Sequence, residues 1–194
     1  MTKLTTPELK YYVMKYYRIE RQMPIVCTEC HVLGSFIADV IAADDKEVIE
    51  VEIKNSYSDF SADFDHKQAK HTAYLNTTLH VTGATGASAT GTSTNNSPDI
   101  STNLTKRQTL YIPNRFFYAC TPDLGKEILP KLTGLPYGLI VVDPKNPKWN
   151  LNSSIKIVKQ ASKINQIYPS TIRKNALARM SSEIINLYET LLNL

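Results

Sequence analysis

The chain has 194 residues, 42% of them hydrophobic and 21% charged, which is typical of a folded globular domain and excludes a wholly disordered chain. No apolar run approaches the roughly 18 residues of a membrane span. The amino terminus also lacks the apolar stretch of a secretory signal. Three cysteines cannot all pair within one chain, so we expect reduced thiols in a cytoplasmic protein.

The net charge of +4 is unevenly distributed. Residues 1–100 hold nine Lys and Arg against thirteen Asp and Glu, whereas residues 101–194 hold thirteen against five. A basic half is often only a solvated surface, but it also suits the binding of a polyanion. An acidic half beside it suits an enzyme that gathers carboxylates around a cation while gripping phosphates elsewhere.

The first predicted element is a helix that begins at Thr5-Thr6-Pro7-Glu8, with a threonine as the N-cap, Pro7 in the first turn and Glu8 near the positive end of the helix dipole. It should end before Pro24. Glu20 falls on the stripe expected to face the core. The residues of that stripe recur at helical spacing and are Leu9, Val13, Tyr16 and Glu20.

Three strand-like runs follow over 25–33, 35–43 and 47–54, with 44–47 as the turn between the last two. A second helix, capped by Ser58 or Asp59, is expected to run past Tyr74. Residues 115–121 and 138–143 read as buried strands of a covered mixed sheet, with a short helix between them.

We expect one domain over 1–194. From Thr82 to Ser97 every residue is Ser, Thr, Gly, Ala or Asn, which predicts a flexible insertion at about 76–105. Functional lid and inert linker both fit that composition. A helical carboxy-terminal extension is expected from about residue 150, with regular helical spacing from Ser170.

Residues 27–31, Cys-Thr-Glu-Cys-His, match the C-x-x-C-H pattern of covalent haem attachment. That chemistry belongs to exported proteins, and the motif lies in a run that predicts a strand. A zinc site lacks a second pair of cysteines, since only Cys120 remains. We therefore expect no haem, and interpret Cys27 and Cys30 as small buried hydrophobic residues.

Asp39 and Glu52 form the sharpest chemical signal. If residues 44–47 are a four-residue loop, Ala43 faces Val48 and Asp39 faces Glu52. Directly opposed Cβ atoms lie about 4.5–5.5 Å apart, and carboxylates that close repel unless a cation lies between them or one is protonated. Lys54 points to the same face as Glu52 because side chains alternate along a strand.

These residue types suit metal-assisted phosphodiester hydrolysis. Asp39, Glu52 and the carbonyl of Ile53 would offer the hard oxygen ligands that Mg²⁺ prefers, with Mn²⁺ as a substitute. Lys54 would position the nucleophile or stabilise charge on the phosphoryl oxygens. The same residues could instead be the polar face of an exposed hairpin, because acidic and basic residues commonly alternate on edge strands.

Other polar residues could complete the site. A third acid would be Glu20, at the end of the first helix, or Glu29, in phase with Cys27 and His31 on the first strand. Asp59, Asp63 and Lys67 recur every four residues and share one helical face. Lys67 and Gln68 could contact a phosphate or the attacking water, although a ladder of solvated ion pairs explains the spacing equally well.

Several blocks together resemble the PD-(D/E)XK nuclease superfamily, and most of all the MmcB-like DNA-repair family and its phage-type relatives. An ADV strand carries the acid, and the further blocks are EVEIK, NSYSDFSADFDHKQAKHTAYL, PNRFFYACTPDL and LPYGLIVVD. They span roughly residues 25–143, apart from the polar insertion. The E-x-K alone is weakly specific, whereas five ordered blocks are more so.

The resemblance implies an α/β, restriction-endonuclease-like core with a central mixed sheet flanked by helices. It implies Asp39, Glu52 and Lys54 as the catalytic set, with Glu29 as the upstream acid. Asp59, Asp63 and Lys67 would be supporting positions. The expected function is a magnesium-dependent endonuclease acting on DNA in repair, recombination or phage DNA processing. The alternative is a non-cleaving DNA-binding accessory protein with a vestigial site; a homodimer is compatible with either.

Overall fold

The computed structural model describes residues 4–33, 35–82, 109–144 and 154–192. Within them a six-stranded sheet has the order β1-β2-β3-β4-β5-β6. The first three strands are antiparallel, β3 to β5 are parallel, and β6 is antiparallel to β5. The predicted α/β class with a central mixed sheet is confirmed. The strands are Ile25–His31 (β1), Ile37–Ala43 (β2), Val48–Ile53 (β3), Arg115–Cys120 (β4), Gly138–Val142 (β5) and Ile155–Lys159 (β6).

The helices flank this sheet and depart from the prediction at two places. β6 precedes the last helix, so the helical extension expected from about residue 150 begins instead at Ser170. The third helix continues to Thr82, so the predicted insertion does not begin at 76; its remainder, 83–105, lies outside the described residues. The helices are Thr6–Lys15 (α1), Tyr57–His66 (α2), Gln68–Thr82 (α3), Pro122–Ile128 (α4) and Ser170–Leu192 (α5).

The first helix begins as predicted and then changes phase. Thr5 is its N-cap and forms a reciprocal capping box with Glu8. The chain continues as a π-helical turn over Tyr16–Glu20, whose wider turn rotates the residues that follow. Tyr17 is therefore buried where the preceding tyrosine was expected, and Glu20 is exposed. The prediction that Glu20 faces the core is wrong.

The sheet is covered on both faces. α1 packs on one face, α2 to α4 pack on the other over the central strands, and α5 packs there over β1 and β2. Every residue of β3 is buried, including Glu50 and Glu52. The predicted alternation along β3 is present, but its charged face lies under α3. This burial excludes the alternative of an exposed hairpin face.

The β2–β3 hairpin has the predicted loop and register. Ala43 pairs with Val48, and the Asp44 carboxylate closes the loop by accepting hydrogen bonds from the N–H groups of Lys46 and Glu47 at 2.7 and 2.8 Å. Because side chains alternate strictly along paired strands, this register fixes which residues of β2 and β3 share a face.

The helix after β3 begins two residues earlier than expected. Ser56 is the N-cap of α2, and its hydroxyl accepts a hydrogen bond from the N–H of Asp59 at 3.1 Å. The predicted caps, Ser58 and Asp59, lie within the first turn of the helix. Ser56 is the N-cap because its backbone is extended, as that position requires, and its hydroxyl reaches the N–H of Asp59.

The carboxy-terminal helix α5 covers the open edge of β1. Glu183 accepts hydrogen bonds from both the backbone N–H and the hydroxyl of Thr28, at 3.1 and 2.7 Å. Arg179 donates to the backbone carbonyl of Thr28 at 3.2 Å. The backbone N–H and carbonyl of Thr28, which point away from β2, therefore form their hydrogen bonds with side chains of α5.

Candidate active site

Asp39 and Glu52 lie at the point where β2 and β3 separate. The last paired residues of the two strands are Val40 and Val51, which places Asp39 across from Glu52 at the next position. Beyond that pair, the N–H of Ile53 donates to the Asp39 carboxylate at 2.8 Å. Burial raises the pKa of Asp39, and the negative charge of nearby Glu52 raises it further. The two acids are therefore close enough to interact.

Glu29 extends this arrangement to a third strand. Cys30 of β1 pairs with Ala38 of β2, so Glu29 lies opposite Asp39. Lys10 of α1 forms ion pairs with both acids, at 3.0 Å to Asp39. Glu29, Asp39 and Glu52 thus occupy one level across β1, β2 and β3. We call Lys10, Glu29 and Asp39 the outer cluster, since solvent reaches their side chains.

The strand phase predicted for Glu29 is wrong. Its φ is +50°, in the left-handed region that interrupts the two-residue alternation of a strand. Cys27 and Cys30 consequently pack in the same hydrophobic cluster although they are three residues apart. They are buried, as predicted. The Cys27 thiol shares a hydrogen bond with Cys30, which together with burial raises the pKa of Cys27.

Lys54 lies beside Glu52, as the alternation along β3 predicts. Its ammonium is 2.8 Å from an oxygen of Asp63, 3.7 Å from Asp59 and 3.9 Å from Glu52. Its own N–H continues the β3–β4 pairing by donating to the carbonyl of Ala119 at 2.9 Å. The side chain is 5% exposed, so its ammonium is held by these carboxylates rather than by water.

Lys67 stands between α2 and α3, where the predicted single helix is interrupted. Its ammonium is 2.8 Å from Glu52 and 3.1 Å from Asp63, so it closes the same ring of charges as Lys54. Gln68 begins α3 and is exposed. Neither Gln68 nor Glu20 is joined to these charges by any described contact, whereas the other predicted site residues are in or beside the two clusters.

Lys70 and Glu50 are central to the site and were not predicted. The ammonium of Lys70 is fully buried and lies 2.5 Å from oxygens of both Glu50 and Glu52. The hydroxyl of Tyr74 donates to the other oxygen of Glu50 at 2.6 Å. A sequence signal existed, because Lys70 and Tyr74 are one helical turn apart and Glu50 shares the face of Glu52. We call Glu50, Glu52, Lys54, Asp63, Lys67 and Lys70 the inner cluster.

Opposite charges control the ionisation of the inner cluster. Burial alone would lower the pKa of Lys70, but Glu50 and Glu52 outweigh burial and raise it. Burial alone would raise the pKa of Glu52, but Lys70 and Lys67 outweigh burial and lower it. Glu52 and Lys70 are therefore held in charged form opposite each other, which is the condition under which buried charges are tolerated. At Glu50, by contrast, burial outweighs the Lys70 ammonium and raises the pKa.

Asp63 links the charges to an aromatic network. One of its oxygens accepts from Lys54, and the other accepts from the Tyr118 hydroxyl at 2.9 Å and lies 2.9 Å from a ring nitrogen of His71. The second ring nitrogen of His71 is 3.0 Å from the hydroxyl of Tyr137. Asp63 thereby fixes the ammonium of Lys54 against a rigid buried scaffold.

The carboxylates of Asp39 and Glu52 fit a Mg²⁺ ion as a two-acid donor set, since this ion uses one or two carboxylates and completes its shell with water and phosphate oxygens. They lie at one level where the strands part, and the Asp39 side chain is 24% exposed. The third predicted ligand is the carbonyl of Ile53, a residue whose N–H donates to Asp39; ligation by that carbonyl stays a prediction. Among the described residues, no three His, Cys, Asp or Glu side chains are grouped so as to hold a metal by themselves.

Comparison with known protein families finds no match. Curated proteins give no match either. Among solved structures, the chain is similar to SPO1766, a protein of unknown function from Silicibacter pomeroyi. The TM-score is 0.53 at 19% sequence identity, covering 98% of this chain and 93% of that one. This likeness shows a shared fold alone, and membership of the PD-(D/E)XK superfamily stays a prediction.

None of the described helices is both long enough and apolar enough to cross a membrane.

Proposed function

We propose that this protein hydrolyses DNA phosphodiester bonds with the help of Mg²⁺. The observation that carries the proposal is the placement of Asp39 across from Glu52 at the parting of two strands, with the Lys54 ammonium 3.9 Å from Glu52. Paired acids with an adjacent cation suit a reaction in which negative charge develops on a phosphoryl group.

Each residue has a distinct role in this proposal. Asp39 and Glu52 hold the ion, and Glu29, on the solvent side of Asp39, orients a water molecule. Lys54 presents its ammonium to the phosphoryl oxygens, in a position set by Asp63 at 2.8 Å. When bound, Mg²⁺ would supply an acidified water and a polarised phosphate. Lys67 neutralises Glu52, from which its ammonium is 2.8 Å away.

DNA is the proposed substrate because the chain combines these acids with a basic second half. Residues 101–194 hold thirteen Lys and Arg against five Asp and Glu, and such an excess attracts a polyanion. A role in repair, recombination or phage DNA processing follows from the sequence resemblance alone. We further propose a cytoplasmic location, in which the buried free thiols of Cys27, Cys30 and Cys120 remain reduced.

One observation favours a second function, that of a non-cleaving DNA-binding protein. Both oxygens of Glu52 are already engaged, one by Lys67 at 2.8 Å and the other by Lys70 at 2.5 Å. An acid neutralised from within the chain has less to gain from a metal ion. In this alternative the basic half binds the DNA backbone, and the inner cluster is purely structural.

The decisive experiment measures cleavage of plasmid and branched DNA with Mg²⁺ or Mn²⁺. Asp39→Asn and Lys54→Met are each expected to reduce the rate by about 100-fold or more. Asparagine is chosen because its oxygen still accepts the N–H of Ile53. Asp123→Asn and Lys126→Met are matched controls, since these two residues form an exposed ion pair.

Full cleavage by both site variants would contradict the proposal. Salt-dependent DNA binding by the wild-type protein, with no metal-dependent turnover, would support the second function instead. Calorimetric titration with Mg²⁺ separates the two further, because a binding module should show no heat that depends on Asp39 and Glu52.

A further inference from the structure

The second half of α5 carries an apolar face that no other described part of the chain covers. The first half is anchored on β1 and β2 by Ile172 and Ala176, which are fully buried. Beyond them, six large apolar side chains are 49–67% exposed. These residues are Ile184, Ile185, Leu187, Tyr188, Leu191 and Leu192. Together they form a patch of several hundred Å², on the order of the largest that a typical monomer exposes.

The spacing of the apolar residues identifies the kind of surface. Leu177, Met180, Ile184, Leu187 and Leu191 follow one another at intervals of three, four, three and four. This is the repeat of a coiled-coil seam, in which each side chain inserts between residues of a facing helix. All five residues lie in the single helix Ser170–Leu192, so the seam is continuous. From Ile184 onward the rest of the described chain leaves it exposed.

We propose that the occupant of this seam is α5 of a second copy of the chain, packed antiparallel. The charges of the helix support that choice. Within the seam, Arg179 lies near the start and Glu189 near the end, whereas Glu183 already contacts Arg179 and Thr28 of its own copy. Antiparallel packing over residues 177–192 brings Glu189 of each copy to the level of Arg179 of the other and sets the two helix dipoles in opposition.

The available area is sufficient for a reversible dimer. The seam from residue 177 to 192 is about 24 Å long at the rise of an α-helix. Two such faces bury on the order of 1,000 Å², which lies at the lower end for a specific interface. We therefore expect dissociation on dilution, rather than an obligate dimer that folds only on association.

Sedimentation equilibrium over a wide concentration range tests the pairing. The wild-type chain is expected to shift from monomer to dimer, and the double variant Ile184→Glu/Leu187→Glu to dimerise roughly 100-fold more weakly, because charges would be buried without partners. Ile185→Glu is the matched control: it is an equally exposed isoleucine of the same turn but lies beside the seam. It should weaken the dimer far less, and all variants should keep the wild-type unfolding transition.

Three outcomes would overturn the pairing: a wild-type monomer at every concentration, a dimer that survives the double variant, or equal loss in the seam and control variants. Binding of the monomer to anionic lipid vesicles through the same residues would also overturn it, by assigning the patch to a membrane surface.

The orientation is tested with a spin label at Ala178→Cys, since the native cysteines are buried. An antiparallel pair separates the two labels by about 20 Å along the helix axis. Labels lying side by side would contradict the antiparallel packing.

Discussion

The inner and outer clusters are neighbours joined through Asp39 and Glu52, yet they differ in how their charges are compensated. In the inner cluster three acids face three ammoniums, and five of these six residues are at most 4% exposed. In the outer cluster two acids share the single ammonium of Lys10, and the Glu29 side chain is 47% exposed. The inner cluster therefore stabilises the fold, whereas the outer cluster has the unsatisfied charge and the solvent access that a cation requires.

The largest effect is expected when Lys70 is removed from the inner cluster. Lys70→Met leaves Glu50 and Glu52 buried and close together with one ammonium fewer. We expect a loss of about 3–5 kcal/mol in the free energy of unfolding, the usual cost of breaking a buried ion pair. Urea unfolding measures this. Lys126→Met, which breaks an exposed pair, is the control and should leave the midpoint unchanged. Equal unfolding midpoints for the two variants would contradict the expectation that the buried ion pairs stabilise the fold more than the exposed one.

The pH dependence of folding stability in the variant Asp63→Asn tests whether an acid of the inner cluster is held in charged form. Burial alone would raise the pKa of Asp63, but the His71 hydrogen bond and the Lys54 ammonium outweigh burial and lower it well below its usual range. A carboxylate with a lowered pKa stabilises the fold above its unfolded value, about 3.9, and this contribution is lost as the pH falls below that value.

The expected cost of Asp63→Asn is about 2–4 kcal/mol at neutral pH. Below about pH 4 the wild-type protein should lose stability more steeply than the variant, because only the wild type must protonate this group. Denaturant midpoints measured at a series of pH values check this. Parallel curves for the two proteins would show that Asp63 is not held in charged form.

The smallest change in stability is expected at Lys10 in the outer cluster. Lys10→Met should alter the free energy of unfolding by no more than about 1 kcal/mol, because water can replace part of the lost contact. It also removes the ammonium that competes with a metal ion at Asp39. Calorimetric titration should then show Mg²⁺ binding about five-fold more tightly. Weaker Mg²⁺ binding than in the wild type would show that the ion does not bind at the outer cluster.

Much of the sheet was predictable because its signals are local. The four-residue loop at 44–47 fixed the register that sets Asp39 against Glu52, and the run Thr5-Thr6-Pro7-Glu8 indicated the start of α1. β6 has apolar residues at alternate positions, Ile155 and Ile157, but five residues are too few to distinguish a strand from the start of the helical extension that was predicted from about residue 150. Local sequence patterns therefore predicted most of the strands and the opposition of Asp39 and Glu52.

The inner cluster was only half predictable, because its partners come from distant parts of the chain. Glu52 and Lys70 are eighteen residues apart and meet only when α3 packs across β3. Two further departures are backbone irregularities without a sequence signature. The π-helical turn removes Glu20 from the core, and the positive φ of Glu29 changes the phase of β1. Periodicity arguments assume regular elements and therefore fail at both places.

The cover that α5 provides over β1 has a consequence for aggregation. An uncovered edge strand offers free backbone groups to any passing strand, and at Thr28 those groups are occupied by Arg179 and Glu183. A chain cut before Ser170 would expose this edge together with the cysteines beneath it. By occupying these groups, α5 protects the edge from non-specific strand pairing, a role separate from the contact between copies that we propose for its far end.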